Sequence, residues 1–219
     1  MSRPDLAFKV NSLAKITTGD LKEKVKEARS LMKEIKSTQL EIKYSRLGDL
    51  NDLYLEVYAD AAFGNQEQKT KSTEGSIIML RGQGAKCSPI SWKSKTLARV
   101  CKSAKTAETH AMENAADTAI GLGKQLNQIR TGAITSDPGK IIVCTDSKSL
   151  IESLNSTKQV DEAPMRMNVA CLKDMKANGD ITEFKWVPTE DILADALMKQ
   201  RVDPTILKKV LRTGHLKHP

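Results

Sequence analysis

Leu53-Tyr54-Leu55-Glu56-Val57-Tyr58-Ala59-Asp60 is the stretch on which the fold turns. It is short and rich in β-formers, and it closes on an acid, so it reads as a β-strand carrying a carboxylate at its C-terminal end. Ile141-Ile142-Val143-Cys144 repeats the plan. It is an unbroken apolar run, as in a strand buried on both faces, and Asp146 follows it. In open α/β sheets, ligands bind outside the carboxyl ends of the strands. If these two strands are parallel neighbours in the sheet centre, Asp60 and Asp146 converge on one edge.

Working outward, Gly75–Leu80 and Lys86–Trp92 read as two strands joined by Arg81-Gly82-Gln83-Gly84, hence a hairpin. The polar stretch Gly64–Ser72 before them is a loop. An alanine-rich segment from about Ser103 to Ile129 keeps Ala111, Ala115, Ala119, Leu122, Leu126 and Ile129 on one face and predicts a long helix. Gly121-x-Gly123 lies inside it with no strand before it, so it is no phosphate loop. Helices are expected over Ser147–Leu154 and Pro164–Ala177, the latter ended by Asn178-Gly179. A last strand spans Ile181–Val187, and a last helix about Glu190–Gln200. The order β-β-β-α-β-α-α-β-α predicts an α/β fold with a mixed sheet flanked by helices. Residues 1–50 read as a helical appendage: Leu21, Val25, Ala28, Leu31, Met32 and Ile35 recur at helical spacing, and Thr17, Thr18 and Asp20 offer a start signal. The division is thus 1–50, a main domain over 51–203, and a basic tail over 204–219.

The chain has 219 residues, 39% hydrophobic and 28% charged, as expected of a globular protein. No stretch approaches the ~20 apolar residues of a membrane helix, and no membrane partner is expected. The first residues lack the apolar core of a signal peptide, which makes an intracellular location the expectation. Cys87, Cys101, Cys144 and Cys171 are far apart and read as small buried thiols rather than zinc ligands. Net charge is +8. Arg81, Lys86, Lys93, Lys95, Arg99, Lys102 and Lys105 form a run without an acid, and Lys199, Arg201, Lys208, Lys209, Arg212 and Lys217 cluster near the end. Either cluster by itself reads equally as a solvated face; two of them on one basic chain suit a polyanion such as nucleic acid.

Four acids stand out. Asp60 and Asp146 sit at strand ends, although Asp146 beside Ser147 also suits a helix cap. Glu108 shares a turn with Ala104, Ala107, Ala111 and Met112. A glutamate on such a small-residue stripe is costly unless paired or metal-bound, yet one near a helix N-terminus is also favourable by charge alone. Asp195 stands between Ala194 and Ala196. Glu113, Asp117 and Asp191 read as solvated or first-turn acids. His110 lies about 200° round the helix from Glu108 and is given no catalytic role.

Five motifs occur in order: Tyr58-Ala59-Asp60-Ala61-Ala62-Phe63-Gly64, Ile90-Ser91-Trp92-Lys93-Ser94-Lys95, Thr106-Ala107-Glu108-Thr109-His110-Ala111, Thr145-Asp146-Ser147-Lys148-Ser149 and Val187-Pro188-Thr189-Glu190-Asp191-Ile192-Leu193-Ala194-Asp195. Together they resemble the ribonuclease H domain of the Pol polyprotein of copia-type long-terminal-repeat retrotransposons. Ser2–Asn11 resembles the segment that follows the reverse-transcriptase palm in those polyproteins, so residues 1–50 are similar to the thumb or connection region.

The resemblance implies a ribonuclease H-like fold, a five-stranded mixed sheet whose first and fourth strands are adjacent. It carries the family's metal-binding acids onto Asp60, Glu108, Asp146 and Asp195, and so chooses Glu108 over Glu113 and Asp195 over Asp191. It implies two Mg²⁺ ions (Mn²⁺ as substitute) and hydrolysis of the RNA strand of an RNA–DNA hybrid, with Asp60 bridging both ions and Glu108 also reaching a ribose 2′-hydroxyl. Lys93, Lys95, Arg99 and Lys102 are the candidates for backbone phosphates. The other implied partner is the polymerase domain of the polyprotein, in a virus-like particle in the cytoplasm or in the nucleus. The chain departs from the pattern at Phe63, where Trp is usual, and at Pro164-Met165-Arg166, where many members carry His-Ile-Asp. It also lacks a histidine between Val187 and Asp195. The polymerase Tyr-x-Asp-Asp pair is absent from this sequence, so it does not polymerise DNA. The rival reading is a catalytically silent, nucleic-acid-binding or structural remnant of such a polyprotein.

Overall fold

The structure is a computed structural model that describes residues 3–14, 21–64, 71–158, 160, 162–199 and 203–216. The sequence features at Thr17, Thr18, Asp20, Gln200, Arg201 and Lys217, and the loop centre 65–70, lie outside the described residues. Five strands, β1 (Tyr54–Ala62), β2 (Thr73–Arg81), β3 (Cys87–Thr96), β4 (Ile141–Thr145) and β5 (Glu183–Trp186), form one sheet in the order β3-β2-β1-β4-β5. β1 pairs antiparallel with β2 and parallel with β4; β2–β3 is antiparallel and β4–β5 parallel. The first and fourth strands are therefore neighbours at the sheet centre.

Side chains alternate across a strand, so each strand feeds two cores. Leu55, Val57 and Ala59 of β1 and Ile141 and Val143 of β4 pack on one face with Met112, Ala115, Ala116 and Ala119. Those four belong to the long helix α3 (Ala104–Thr131). Ser103 caps α3 by accepting the Thr106 N–H at 3.1 Å, and Gly132 ends it in the left-handed conformation, φ 72°. Further helices, expected from the sequence, span Lys148–Asn155 and Ala163–Ala177 and complete this layer. Gly123 is explained by packing: the carbonyl of Pro138 lies 2.4 Å from where its Cβ would be.

Tyr58, Ile77, Met79, Ile142 and Cys144 face the other way. They are covered by Leu193, Ala194 and Leu197, and by Leu207, Val210 and Leu211 of a helix over Thr205–Thr213. The segment read as a basic tail is thus helical where it is described. The helix expected over Glu190–Gln200 does not form; two 3-10 turns, Thr189–Asp191 and Leu193–Leu197, take its place. The appendage carries α1 (Ala7–Ala14), not anticipated, and α2 (Leu21–Ser37). Asn11 donates to Ser94 Oγ of β3 at 3.3 Å, and the Lys43 N–H donates to the Leu211 carbonyl at 2.8 Å, so the appendage is tied to this second face. On α2 only Leu31 is buried, while Leu21, Val25 and Met32 stay exposed.

Arg81, part of the basic run in the sequence, is not on the surface. It is fully buried, its Nε 3.1 Å from Glu56 Oε2, and its guanidinium donates to the Leu216 carbonyl. Cys87, Cys101 and Cys144 are buried free thiols whose pKa values burial raises; Cys171 is partly exposed. Among the described residues no helix is long and apolar enough to cross a membrane.

Candidate active site

The register of the two central strands builds the site. Tyr58 lies beside Cys144 in the parallel β1–β4 pair. Two residues further along each strand come Asp60 and Asp146, level with each other and on the face shared by Tyr58 and Cys144. Asp60 is still inside β1 and only 4% exposed. Its Oδ1 accepts the Ala61 N–H at 2.7 Å. Asp146, just past β4, is held twice: its Oδ2 accepts the Thr189 hydroxyl at 2.9 Å, and its carbonyl accepts the Trp186 indole N–H at 3.0 Å. The Lys148 ammonium lies 4.7 Å from the Trp186 ring centroid, fixing that ring from its face.

Asp195 arrives from the 3-10 turn laid over the same face. Lys199, four residues on, donates to Asp195 Oδ1 at 2.6 Å and lies 3.7 Å from Asp60 Oδ2. Burial, the neighbouring Asp146 charge and a hydrogen bond with Asp195 together push the Asp60 carboxyl up to about 8, against the downward pull of Lys199 and the Ala61 N–H. Burial lowers the Lys199 pKa, but the Asp195 hydrogen bond and the charges of Asp60, Asp195 and Asp146 more than reverse this, and the net shift is upward.

Three of the four acids read from the sequence thus come together: Asp60, Asp146 and Asp195. Glu108 differs. The buried stripe of α3 runs through Ala107 and Ala111, which pack on Ala61. Glu108 flanks that stripe on α3 and is half-buried. Ala104, expected on the stripe, is exposed. Among the described residues no three His, Cys, Asp or Glu side chains stand at metal-holding separation. The donor chemistry nonetheless suits a hard divalent cation: among the described residues Asp60, Asp146 and Asp195 supply carboxylate oxygens, and the Lys199 ammonium already sits against two of them.

Of the basic candidates, Lys95, Arg99 and Lys102 are exposed on and after β3. Lys93 is engaged, 2.8 Å from the buried carboxylate of Glu74, which also accepts from Asn114 at 2.6 Å. Trp92, expected at a strand end, lies in the middle of β3 and packs, partly buried, against the second core beside Ala7 and Val10 of the appendage. Sequence reasoning gives Thr189 and Trp186 no role of their own and counts Lys199 only in the basic cluster near the end. Only Lys199, at helical spacing from Asp195, leaves a signal there.

Sheet order and helix placement define a ribonuclease H-like fold. The ribonuclease H1 of the halophilic archaeon Halobacterium salinarum is similar to this chain with a TM-score of 0.50 at 18% identity, over 66% of this chain and 94% of that one. The N-terminal ribonuclease H domain of a Mycobacterium tuberculosis protein, solved as a maltose-binding-protein fusion, aligns over 72% of this chain and 96% of its own at 15% identity, with a TM-score of 0.49. No protein-family model and no curated protein matches the sequence.

Proposed function

We propose that the chain is a ribonuclease H that cleaves the RNA strand of RNA–DNA hybrids, of the type carried in copia-type retrotransposon polyproteins. The observation that carries this reading is the buried Asp60 beside Asp146 and Asp195 at the carboxyl ends of parallel central strands. A buried carboxyl raised by its burial and by neighbouring acids, as Asp60 is, costs stability, and such an arrangement persists where a site needs it.

In this reading Asp60, Asp146 and Asp195, with Glu108 from α3, hold two Mg²⁺ ions, or Mn²⁺ in their place. When bound, the metal pair activates the attacking water and stabilises the leaving 3′-oxygen. The remaining work belongs to side chains of the chain itself. The Ala61 N–H fixes the Asp60 carboxylate, and Thr189 and Trp186 fix Asp146 from its side chain and its backbone. Lys95, Arg99 and Lys102 meet backbone phosphates, which gives binding without sequence preference. The exposed apolar residues of α2 would meet the polymerase part of such a polyprotein.

The test is cleavage of a labelled RNA–DNA hybrid with Mg²⁺ by the chain, Asp60→Asn and Asp146→Asn. Cleavage by the parent alone, with binding kept in both variants, is expected. Equal cleavage by all three marks a contaminant and ends the assignment; binding without cleavage by the parent makes the chain a silent remnant.

A further inference from the structure

Three carboxylates meet at the strand ends, and among the described residues the Lys199 ammonium sits with them. Lys199 Nζ is 2.6 Å from Asp195 Oδ1 and 3.7 Å from Asp60 Oδ2, and Asp146 acts on it as well. An exposed ion pair of this kind would mean little. Here the Asp60 side chain is only 5% exposed, so the carboxylates are poorly screened by water and repel one another unless a positive charge stands between them.

The lysine is attached in a way that lets it leave. Its backbone is anchored, the N–H donating to the Asp195 carbonyl at 3.2 Å, while its side chain is 39% exposed. A flexible four-carbon stem on a fixed backbone can hold the ammonium on the carboxylates or release it to water.

We propose that Lys199 is the resident counter-cation of the acidic centre: it holds Asp195 and Asp60 together in the metal-free protein and competes with a divalent cation for the same oxygens. The inference rests on reading the centre as a divalent-cation site and adds a residue that sets how tightly the cation is held. Two effects act in one direction when the lysine is removed. The competitor is gone, and the carboxylates carry more uncompensated charge, so metal binds more tightly. The same loss leaves the metal-free protein with repelling acids.

The test is calorimetric titration of the full chain, without nucleic acid, with Mg²⁺ and Mn²⁺ at mildly alkaline pH, comparing the parent, Lys199→Met, Lys199→Gln and Asp60→Asn. Both Lys199 variants are expected to bind about tenfold more tightly, a difference of roughly 1.4 kcal/mol. Both should melt below the parent in a chelator and regain its melting temperature in saturating Mg²⁺. Two variants are included so that a folding failure in one leaves the other decisive. Unchanged or weaker affinity in the Lys199 variants, with binding lost in Asp60→Asn, overturns the role of Lys199 and leaves the metal site standing. Binding that survives Asp60→Asn, or no binding by any of these proteins, overturns the metal site and this inference with it.

Discussion

The carbonyl oxygen of Ala194 lies 2.8 Å from the position a Cβ would take on Gly75, with Leu197 Cβ at 3.2 Å and Met198 Cβ at 3.4 Å. Gly75 pairs with Asp60 across β1 and β2. Only a residue without a side chain lets the 3-10 turn lie flat on β2 at this point, and that turn brings Asp195 and Lys199 to Asp60. Gly75→Ala should cost about 1–3 kcal/mol through overpacking. It should also lower hybrid cleavage by roughly 10- to 100-fold, because the acids would no longer meet. Urea denaturation and a cleavage assay check this; parent-like values in both would mean that the turn shifts freely.

Asp60 gives a pH dependence with a definite sign. Its carboxyl is raised to about 8 in the folded chain by burial, Asp146 and the Asp195 hydrogen bond, whereas in the unfolded chain it titrates at about 3.9. Between those values the folded state binds the extra proton, so the metal-free protein loses stability as pH rises from about 4 to 8. Asp60→Asn removes that loss. In a chelator at pH 8 the variant should melt about 2–4 °C or more above the parent, and near pH 4 the gap should close. Calorimetry at both pH values decides; an unchanged gap would show that Asp60 is already ionised.

The central strands are legible in the sequence because their signal is local. Each is a run of β-formers ending in an acid, and the parity of residues 58, 60, 144 and 146 follows from the strand period. The length of α3 is legible from its alanines. The segment after Pro188 is not. Ile192, Leu193 and Leu197 mimic helical spacing, yet they are held by contact with β2 and by the room at Gly75, which are tertiary constraints. The sequence puts Glu108 on the buried stripe because an offset of one residue on an alanine-rich helix cannot be read without knowing which alanines touch Ala61. Thr189 escapes sequence reasoning because it acts on an acid more than forty residues away, and the spacing of Lys199 from Asp195 does not reveal its approach to Asp60.

Glu56 and Arg81 form an ion pair with both side chains out of water, and Arg81 also grips the Leu216 carbonyl. Removing one partner leaves a buried charge. Glu56→Gln and Arg81→Met should each cost about 3–5 kcal/mol, and a double Glu56→Leu/Arg81→Leu variant should cost less than their sum. Denaturant midpoints of the three proteins measure this, and an additive result would show that the pair is hydrated.

Among the described residues, Thr189 reaches the centre through its hydrogen bond to Asp146. Thr189→Val keeps shape and loses the hydroxyl, so stability should change by less than about 0.5 kcal/mol. The cleavage rate should fall about tenfold with KM unchanged, because the carboxylate is free to rotate away from its place. Thr189→Ser restores the hydroxyl and should restore most of the rate. A Ser variant as slow as the Val variant would show that the methyl group, not the hydrogen bond, holds Asp146.

The four basic candidates near β3 are alike in sequence, and the structure separates them. Lys95, Arg99 and Lys102 are exposed, so their charges are available to phosphates. Lys93 is committed to Glu74, whose buried carboxylate would otherwise have Asn114 as its hydrogen-bond partner. Substituting Lys95, Arg99 or Lys102 by Ala should weaken hybrid binding evenly across sequences and reduce the slope of log K against log salt by about 1 for each phosphate no longer neutralised. Lys93→Ala should change that slope less and instead cost about 1–3 kcal/mol of stability, the penalty of a buried carboxylate deprived of a partner. Salt titrations of hybrid binding, paired with denaturation of each variant, resolve the two effects. A slope reduced by a full unit in Lys93→Ala, with stability kept, would mean that Lys93 leaves Glu74 for the nucleic acid and belongs to the same basic surface as Lys95.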